Sequence, residues 1–355
     1  MSQTQTFDVV VLGAGTVGEN VADRASRTGL SVAVVERERA GGECSYWACM
    51  PSKALLRPGA VRRAARAVPG LTADAAIDVP AVLARRDEIV HDWDDASQVA
   101  WLDGAGLTLV RGDARITGPR TVAVSTDDGD GVVLTARHAV VVATGSEPAV
   151  PDLPGLDTVT AWTSRDATSF HEVPDSVVVV GGGVVACEMA TALADLGSHV
   201  TVLVRGGRLL AGMEPFAGEA VARALGAAGV DVRFRTSVAA VAPQGTGVRV
   251  GLDDGGEVTA ERLLLATGRR PRTASLGLDA VGLTPGAPIR VDETGLVAGV
   301  DGGWLYAAGD VTGRTNTTHQ GKYDARVTGD AIAHRFTGTA AAVDGAPDWS
   351  GFRAT

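Results

Sequence analysis

The chain contains an internal duplication, which limits its possible folds more than any other feature. A shift of 168 residues places Asp8–Arg37 over Ser176–Arg205 without a gap. Each copy has a β-branched apolar run, then glycines, a helical pattern and a second apolar run, as in a βαβ unit that opens a parallel sheet. This period is too long for a solenoid. We therefore expect two copies of one domain.

A second match, at an offset of 123 residues, shows that the two copies also end alike. It places Gly106–Val110 over Gly229–Arg233 and Val140–Gly145 over Leu263–Gly268. The residues between these matches alternate and turn as an antiparallel meander does, for example around 127–131. The predicted fold class is α/β, with two Rossmann-like dinucleotide-binding domains that each combine a parallel sheet with an antiparallel β-meander.

The two offsets differ by 45 residues, so the first module carries about that many additional residues. We expect this insertion at about 38–105, and its apolar spacing predicts one long helix over Val79–Leu102. The Pro-rich segment Pro148–Pro154 marks a domain crossing. The predicted domains are listed in chain order: first module 1–150, second module 151–285, return to the first module 286–340, and the start of a further domain 341–355.

Composition excludes several classes of function. The formal net charge is −10 and the arginines are scattered among acidic residues, which argues against nucleic-acid binding. The first apolar stretch, Val9–Leu12, is far too short for a signal peptide or a membrane span. We therefore expect a cytoplasmic protein that binds neither nucleic acid nor membrane.

The first glycine fingerprint lies where a dinucleotide site requires it. Gly13, Gly15 and Gly18 follow a predicted strand and open a predicted helix, whose N-terminus would receive a pyrophosphate. Glu36 ends the next strand, and a carboxylate there accepts hydrogen bonds from the ribose of an adenosine without a 2′-phosphate. The first module is therefore predicted to bind FAD.

The second fingerprint consists of Gly181, Gly183 and Ala186, and it differs at the ribose position. The residue equivalent to Glu36 is Val204, which Arg205 follows. Without the carboxylate, a guanidinium can bind a 2′-phosphate bidentately. The second module is predicted to bind NADPH, and the alternative is that surface arginines flank a site for NADH.

Four residues separate Cys44 from Cys49, directly before a helix that we expect to begin at Pro51. The helix N-terminus favours the thiolate of Cys49, and one turn would bring the two sulfurs within bonding distance. The alternatives are zinc, for which no other clustered ligands lie nearby, and a pair of buried, unreactive thiols. We predict redox-active cysteines and no metal site. Cys187, in the second βαβ helix, is predicted to be a packing residue.

With these residues the chain resembles the class I pyridine nucleotide-disulfide oxidoreductases, which include dihydrolipoamide dehydrogenase, glutathione reductase, mycothione reductase and mercuric reductase. The signature is Gly-Gly-x-Cys-x4-Cys-x-Pro-Ser-Lys at 41–53, with Glu43 and Met50 at positions where the family usually has other residues. The resemblance covers nearly the whole chain. It implies that Cys44 attacks the substrate disulfide and that Cys49 faces the flavin.

The resemblance also implies further site residues. Lys53 would lie beside flavin N5 and pair with Glu188 near the nicotinamide, and Lys53 is one of only two lysines among 32 basic residues. Asp310 would bind the ribityl chain of the flavin. The other predicted cofactor-binding residues belong to motifs shared with the family and are Asp113, Ala114, Thr144, Gly145, Gly268, Arg269 and Gly309.

The predicted reaction passes hydride from NADPH to FAD, and then electrons through Cys49 to the Cys44–Cys49 disulfide and a small disulfide substrate. A dihydrolipoamide dehydrogenase would run in reverse, from a dithiol to NAD⁺. An alternative of another class is a flavin-binding redox sensor that performs no turnover. Full-length family members are homodimers whose C-terminal interface domain supplies a His-Glu pair, and nothing in 311–355 resembles that pair.

Overall fold

A computed structural model describes residues 3–72, 76–126, 129 and 131–338. These residues divide into two compact units. Unit 1 comprises the described residues of 1–44, 94–147 and 270–355, and unit 2 those of 45–93 and 148–269. Most of the predicted turn at 127–131, and all of the predicted further segment at 341–355, lie outside the described residues.

The helices and strands of the described residues are numbered in chain order. The strands are β1 (Gln3–Leu12), β2 (Val32–Glu36), β3 (Thr108–Arg111), β4 (Asp113–Gly118), β5 (Thr121–Ser125), β6 (Val132–Val142), β7 (Ser146–Pro148), β8 (Ser176–Val180), β9 (His199–Val204), β10 (Asp231–Phe234), β11 (Val238–Gln244), β12 (Gly247–Leu252), β13 (Glu257–Ala260), β14 (Arg262–Leu265), β15 (Arg269–Pro271) and β16 (Leu305–Ala307). The α-helices are α1 (Thr16–Ser26), α2 (Gly42–Tyr46), α3 (Cys49–Arg66), α4 (Val79–Ile89), α5 (Ala96–Gly104), α6 (Asp166–Ser169), α7 (Val184–Asp195), α8 (Pro215–Ala227) and α9 (Thr318–Thr337).

The main sheet of unit 1 joins a parallel part to an antiparallel part. Its strand order is β3-β2-β1-β6-β5-β4, and β16 also pairs with β6. Strands β1, β2, β3, β6 and β16 pair in parallel, whereas β6, β5 and β4 form an antiparallel meander. Val10 and Leu12 of β1 are buried in one hydrophobic cluster, and Val9 and Val11 in another. Burial on both faces explains why β1 ends as a continuous apolar run instead of an alternating one.

Unit 2 repeats this architecture with two separate sheets. The parallel sheet has the order β10-β9-β8-β14, and the meander has the order β11-β12-β13. One face of β8 buries Val177 and Val179 in a cluster that includes helix α7. The other face buries Val178 in a cluster with Val250 of the meander. Each unit thus has a Rossmann-like parallel sheet and a meander, which confirms the predicted fold class.

The structure reproduces both sequence offsets. Helix α1 begins at Thr16 and α7 at Val184, and β3 begins at Thr108 and β10 at Asp231. The copies differ at the end of the meander, because the single strand β6 of unit 1 corresponds to two strands, β13 and β14, in unit 2. The two copies therefore share the elements next to their glycine turns. They differ in the connection between the meander and the parallel sheet.

The compact units differ from the predicted domain ranges at residues 270–285, which we placed in the second module and which group with unit 1, and at residues 45–93, which we placed in the first module and which group with unit 2. The reason is hydrophobic: Leu55 of α3 is 1% exposed and shares a core cluster with Val177 and Leu193. Helices α3 and α7 also approach closely at Gly59, where a Cβ would lie 1.9 Å from Oδ2 of Asp195. The assignment of the domains to FAD and to a nicotinamide nucleotide stays a prediction.

The prediction of one helix over Val79–Leu102 is wrong. Helix α4 ends at Ile89 and α5 begins at Ala96, with a 3₁₀ turn at His91–Trp93 between them. His91, Asp92 and Trp93 all have positive φ, between 51° and 57°, which is the left-handed region that L-residues rarely adopt. The apolar spacing did not reveal this interruption, because positive φ at three non-glycine residues has no hydrophobic signature.

Candidate active site

Cys44 and Cys49 form a disulfide at the junction of two helices. Cys44 lies in α2 and Cys49 is the first residue of α3, two residues before the predicted start at Pro51. Ala48 has φ −127° and ψ −92°, outside the helical region, which separates the two helices. The N-terminus of α3 therefore lies at Cys49, where the positive end of the helix dipole favours a thiolate over a thiol.

Lys53 and Glu188 form an ion pair within unit 2. The Lys53 ammonium lies 2.8 and 2.7 Å from the two carboxylate oxygens of Glu188, which is on α7. Lys53 follows Cys49 by four residues on α3, so the two side chains lie on one helix face. The lysine side chain is 61% exposed and that of Glu188 29%. The structure thus brings together two residues that are 135 positions apart in the sequence.

The first fingerprint forms a tight strand-to-helix turn. Gly13 has φ +101°, and a Cβ at this residue would lie 2.6 Å from the carbonyl oxygen of Ala143. A Cβ at Gly18 would lie 1.8 Å from the carbonyl oxygen of Gly13. Gly15 is the N-cap of α1, so the first N–H groups of this helix are directed out of the turn. These glycines form a backbone cradle that fits the pyrophosphate of a dinucleotide.

Glu36 lies at the end of β2, where an adenosine ribose ligand is expected. One of its carboxylate oxygens accepts a hydrogen bond from the N–H of Ala14 at 2.8 Å, and the other from the N–H of Glu38 at 2.8 Å. Each oxygen keeps a lone pair that can accept from a ribose hydroxyl. Asp113 begins β4 and lies 3.6 Å from the Arg37 guanidinium. Its neighbour Ala114 packs against the core of unit 1.

Glu19, in the first turn of α1, is a site residue that the sequence analysis missed. It is 7% exposed, and its Oε1 atom is buried without a hydrogen-bond partner. Burial raises the pKa of this carboxyl from its ordinary 4.5 to about 7, with Glu36 adding to the rise, while Lys322 and the N–H of Gly41 oppose it. The sequence does show that Glu19 directly follows Gly18. A carboxylate beside a predicted pyrophosphate site would repel the phosphates, and this conflict could have drawn attention to Glu19.

The second fingerprint also forms a strand-to-helix turn, with alanine instead of glycine at its third position. Gly181 has φ +138°, and a Cβ there would lie 2.2 Å from the carbonyl oxygen of Ala266. Nothing lies within 4 Å of a Cβ at Gly183, the N-cap of α7. Ala186 is fully buried on α7, where its methyl group packs in the core. Unit 2 therefore has a second cradle of the kind that fits a dinucleotide.

Three arginines surround the loop that follows β9. Arg205 is exposed directly after the strand, and Arg208 donates a hydrogen bond to the carbonyl of Ala211 at 2.6 Å. Arg235 was missed by the sequence analysis because it lies 30 residues after Arg205, at the end of β10. Its guanidinium lies 3.7 Å from a Cβ position at Gly207. The pairing of β10 with β9 brings Arg235 to this loop, and the local sequence carries no sign of that pairing.

The remaining predicted residues lie at turns. In unit 1 the Thr144 hydroxyl donates to the carbonyl of Arg272 at 2.7 Å, and Gly145 has φ +71°. The Ser146 hydroxyl donates to the Asp310 carboxylate at 2.5 Å. Gly309, which precedes Asp310, has φ +78°, and a Cβ at this position would lie 3.0 Å from the Val17 side chain.

The equivalent turn of unit 2 contains Gly268 and Arg269. Gly268 has φ +131°, and its carbonyl accepts from the N–H of Ala149 at 2.9 Å. Arg269 donates to the Ser164 hydroxyl at 3.3 Å. Cys187 is 7% exposed in the core of unit 2, as predicted, and burial raises the pKa of its thiol to about 11. This third cysteine is therefore a packing residue.

The sequence pattern of the pyridine nucleotide-disulphide oxidoreductases matches residues 7–325. This range includes both cradles, both cysteines of the disulfide and the Lys53–Glu188 pair. The chain belongs to this family. Membership implies FAD and a nicotinamide nucleotide as cofactors, and the glycine cradles of both units fit that requirement. The predicted family is thus confirmed.

The chain is similar to mercuric reductases and to a dihydrolipoyl dehydrogenase over most of its length. The mercuric reductase of Acidithiobacillus ferrooxidans is 35% identical over 352 residues, which cover 96% of the chain and 62% of that protein. Dihydrolipoyl dehydrogenase 3 of Pseudomonas aeruginosa is 35% identical over 340 residues, which cover 93% of the chain and 72% of that protein. The chain spans 62% and 60% of the length of the mercuric reductases from A. ferrooxidans and Shigella flexneri.

A solved structure shares the fold. The flavoprotein disulfide reductase RclA from Escherichia coli, in a Cu(II) complex, superposes with a TM-score of 0.82 at 23% identity. The match covers 92% of the chain and 71% of that protein. Within the described residues, no helix is both long and apolar enough to cross a membrane, and no cluster of potential metal ligands is found.

The buried Glu19 carboxyl generates a prediction about pH. A carboxyl whose pKa is raised in the folded state binds its proton more tightly there, so stability is lost as pH rises from about 4.5 to about 7. The shift corresponds to roughly 3 kcal/mol. Glu19→Gln should therefore remove most of this loss and raise the free energy of unfolding at pH 8, as measured by urea denaturation from pH 5 to 8. The exposed-carboxyl control Glu293→Gln should retain the pH dependence of the parent chain, and an equal slope for both variants would contradict the assignment.

The close approach at Gly18 generates a second prediction. Gly18→Ala forces a methyl group against the carbonyl of Gly13, so it should lower the free energy of unfolding by about 2–3 kcal/mol or more and abolish FAD uptake. Gly104→Ala is the matched control, because a Cβ there meets open space and alanine favours the helix by up to about 1 kcal/mol. Denaturation and flavin fluorescence measure both effects. Tight FAD binding by Gly18→Ala would show that the cradle is not used.

Proposed function

We propose that the chain forms the cofactor-binding and redox part of an FAD-dependent NADPH:disulfide oxidoreductase. The observation that carries this proposal is the Cys44–Cys49 disulfide at the start of α3, with the Lys53–Glu188 ion pair one turn further on. Bound FAD would supply the chemistry that the protein lacks, by accepting hydride from a nicotinamide and passing two electrons to a disulfide.

The two cysteines would have different tasks. Two electrons break the Cys44–Cys49 bond and leave two thiolates. The Cys44 thiolate attacks a substrate disulfide, forms a mixed disulfide and releases the first product thiolate. The Cys49 thiolate then attacks the Cys44 sulfur, releases the second product thiolate and restores the original disulfide. The two product thiolates take up two protons from solvent or from a general acid.

The position of Cys49 supports this division. As the first residue of α3 it lies where the helix N-terminus stabilises negative charge, so it is suited to hold a thiolate while Cys44 reacts. Lys53 would place a positive charge on the same face of α3, and Glu188 would hold that ammonium in a fixed direction. A compact cation near the flavin stabilises its reduced, anionic form.

NADPH is the proposed nucleotide of unit 2. Val204 offers no carboxylate to repel a 2′-phosphate, whereas Arg205, Arg208 and Arg235 surround the adjacent loop. A guanidinium binds a phosphate with two hydrogen bonds, which favours NADPH over NADH. The substrate proposed is a small disulfide, and a relative named dihydrolipoyl dehydrogenase supports the reverse reaction, oxidation of a dithiol by NAD⁺, as a second candidate.

Electron counting tests the proposed reaction. Anaerobic titration of the FAD-loaded chain should consume four electrons, two for the flavin and two for the disulfide, and produce a long-wavelength thiolate-to-flavin absorption band. Cys49→Ser should reduce the uptake to two electrons and abolish the band. Cys187→Ala is the control, because this buried cysteine should leave the count at four. Two electrons without a band in the parent chain would favour a redox sensor instead.

Nucleotide affinity tests the arginine loop. Arg205→Ala and Arg235→Ala should each weaken NADPH binding about tenfold, which is the effect of losing one charge-assisted contact of about 1.4 kcal/mol, and leave NADH binding unchanged. Arg249→Ala, on the meander of unit 2, is the control and should change neither affinity. Fluorescence titration measures both constants. Equal losses for NADPH and NADH would mean that the arginines do not contact the 2′-phosphate.

A further inference from the structure

Arg86 on α4 is completely buried in unit 2, which is unusual for a charged side chain. Its guanidinium donates hydrogen bonds to the carbonyls of Thr168 at 2.8 Å and Phe170 at 2.9 Å, and to the Asp87 carboxylate at 2.6 Å. A buried guanidinium is stable only when such partners replace water. Arg86 thus fixes the backbone of the segment that contains Thr168 and Phe170.

Two aromatic rings complete the surroundings of Arg86. The guanidinium carbon lies 5.2 Å from the ring centre of Trp93 and 5.7 Å from that of Phe170, within the range of cation–π attraction. Trp93 belongs to the His91–Trp93 turn with positive φ. Contacts that hold Trp93 in place must offset this unfavourable backbone conformation, and the contact with Arg86 is one of them.

The same cluster holds the residues between the redox cysteines. The inter-cysteine loop, residues 45–48, comprises the end of α2 and the turn before α3, and hydrogen-bond donors lie near two of its successive carbonyls. The indole N–H of Trp93 donates to the carbonyl of Tyr46 at 3.0 Å. The Thr168 hydroxyl has three carbonyl acceptors within reach, of which that of Trp47 is the nearest at 2.9 Å, followed by those of Arg165 at 3.0 Å and Ser164 at 3.2 Å. Both donors are contacted by Arg86, one through its ring and the other through its carbonyl.

Side chains of the inter-cysteine loop add to this attachment. Tyr46 is 1% exposed, and its ring meets that of Trp47 edge-on with centres 5.8 Å apart. The Arg165 guanidinium lies over the Trp47 ring at 4.0 Å. The loop is therefore held by backbone and side-chain contacts that do not involve the sulfur atoms, and these contacts can remain when the disulfide is reduced.

We propose that Arg86 is a positioning residue for the redox pair: through Trp93 and Thr168 it holds the inter-cysteine loop in the conformation that closes the Cys44–Cys49 bond. This inference rests on the proposed redox function of the pair. A loop held in place after reduction keeps the two thiols close together, which raises their effective concentration. A high effective concentration favours the disulfide over the dithiol and makes the reduction potential of the pair more negative.

The test separates the two hydrogen bonds from the rest of the cluster. Trp93→Phe removes the indole N–H and keeps a ring near Arg86, and Thr168→Val removes the hydroxyl and keeps the carbonyl that Arg86 binds. Each variant should shift the pair several-fold towards the dithiol, and the double variant about tenfold, which corresponds to a potential about 30 mV less negative. Arg86→Met should shift it at least as far.

The equilibrium is measured on the whole chain against mixtures of reduced and oxidised dithiothreitol, by alkylation and mass spectrometry of the peptide that contains both cysteines. Trp101→Phe is the control, since this exposed tryptophan on α5 should leave the equilibrium unchanged. Circular dichroism shows which variants are folded, and the two conservative variants provide the test if Arg86→Met does not fold. A folded double variant with the parent equilibrium would overturn the proposal. The measurement needs neither flavin nor nicotinamide, so it is independent of whether the proposed electron transfer from NADPH fails.

Discussion

At the end of β1 a Cβ at Gly13 would lie 2.6 Å from the carbonyl oxygen of Ala143, and at the equivalent end of β8 a Cβ at Gly181 would lie 2.2 Å from the carbonyl oxygen of Ala266. These contacts direct the N-terminus of a helix to the carboxyl edge of each parallel sheet. The first N–H groups of α1 and α7 then have no partner within the helix and are available to a phosphate. Both dinucleotide cradles therefore require glycine at these two positions.

The two cradles differ in the charged residues that surround them. Unit 1 places Glu36 and the buried Glu19 beside its turn, whereas unit 2 has Val204 at the ribose position and arginines on the following loop. Glu36 accepts hydrogen bonds from two backbone N–H groups, whereas Glu19 has an oxygen without a hydrogen-bond partner, and burial raises the pKa of its carboxyl to about 7. One backbone architecture thus carries two different electrostatic environments.

The redox pair depends on a third element. Helix α3 is packed into the core of unit 2 through Leu55 and its close approach at Gly59, and this packing directs Lys53 to Glu188. Its N-terminus carries Cys49, while the preceding loop is tied to the buried Arg86 cluster. Hydrophobic packing of α3, the Lys53–Glu188 ion pair and the buried Arg86 guanidinium therefore all help to hold the segment from Cys44 to Lys53 in place.

The sequence by itself determined the repeated βαβ units, the glycine turns, the cysteine pair and the family, because each is encoded by local spacing that repeats or matches a signature. Tertiary structure decided the rest. The break at His91–Trp93, the grouping of α3 with unit 2, the approach of Arg235 to the loop after β9 and the burial of Glu19 and Arg86 arise from contacts between residues distant in sequence. Apolar periodicity reports which face of an element is buried, but not which partner covers it, and a charged residue carries no local sign of burial.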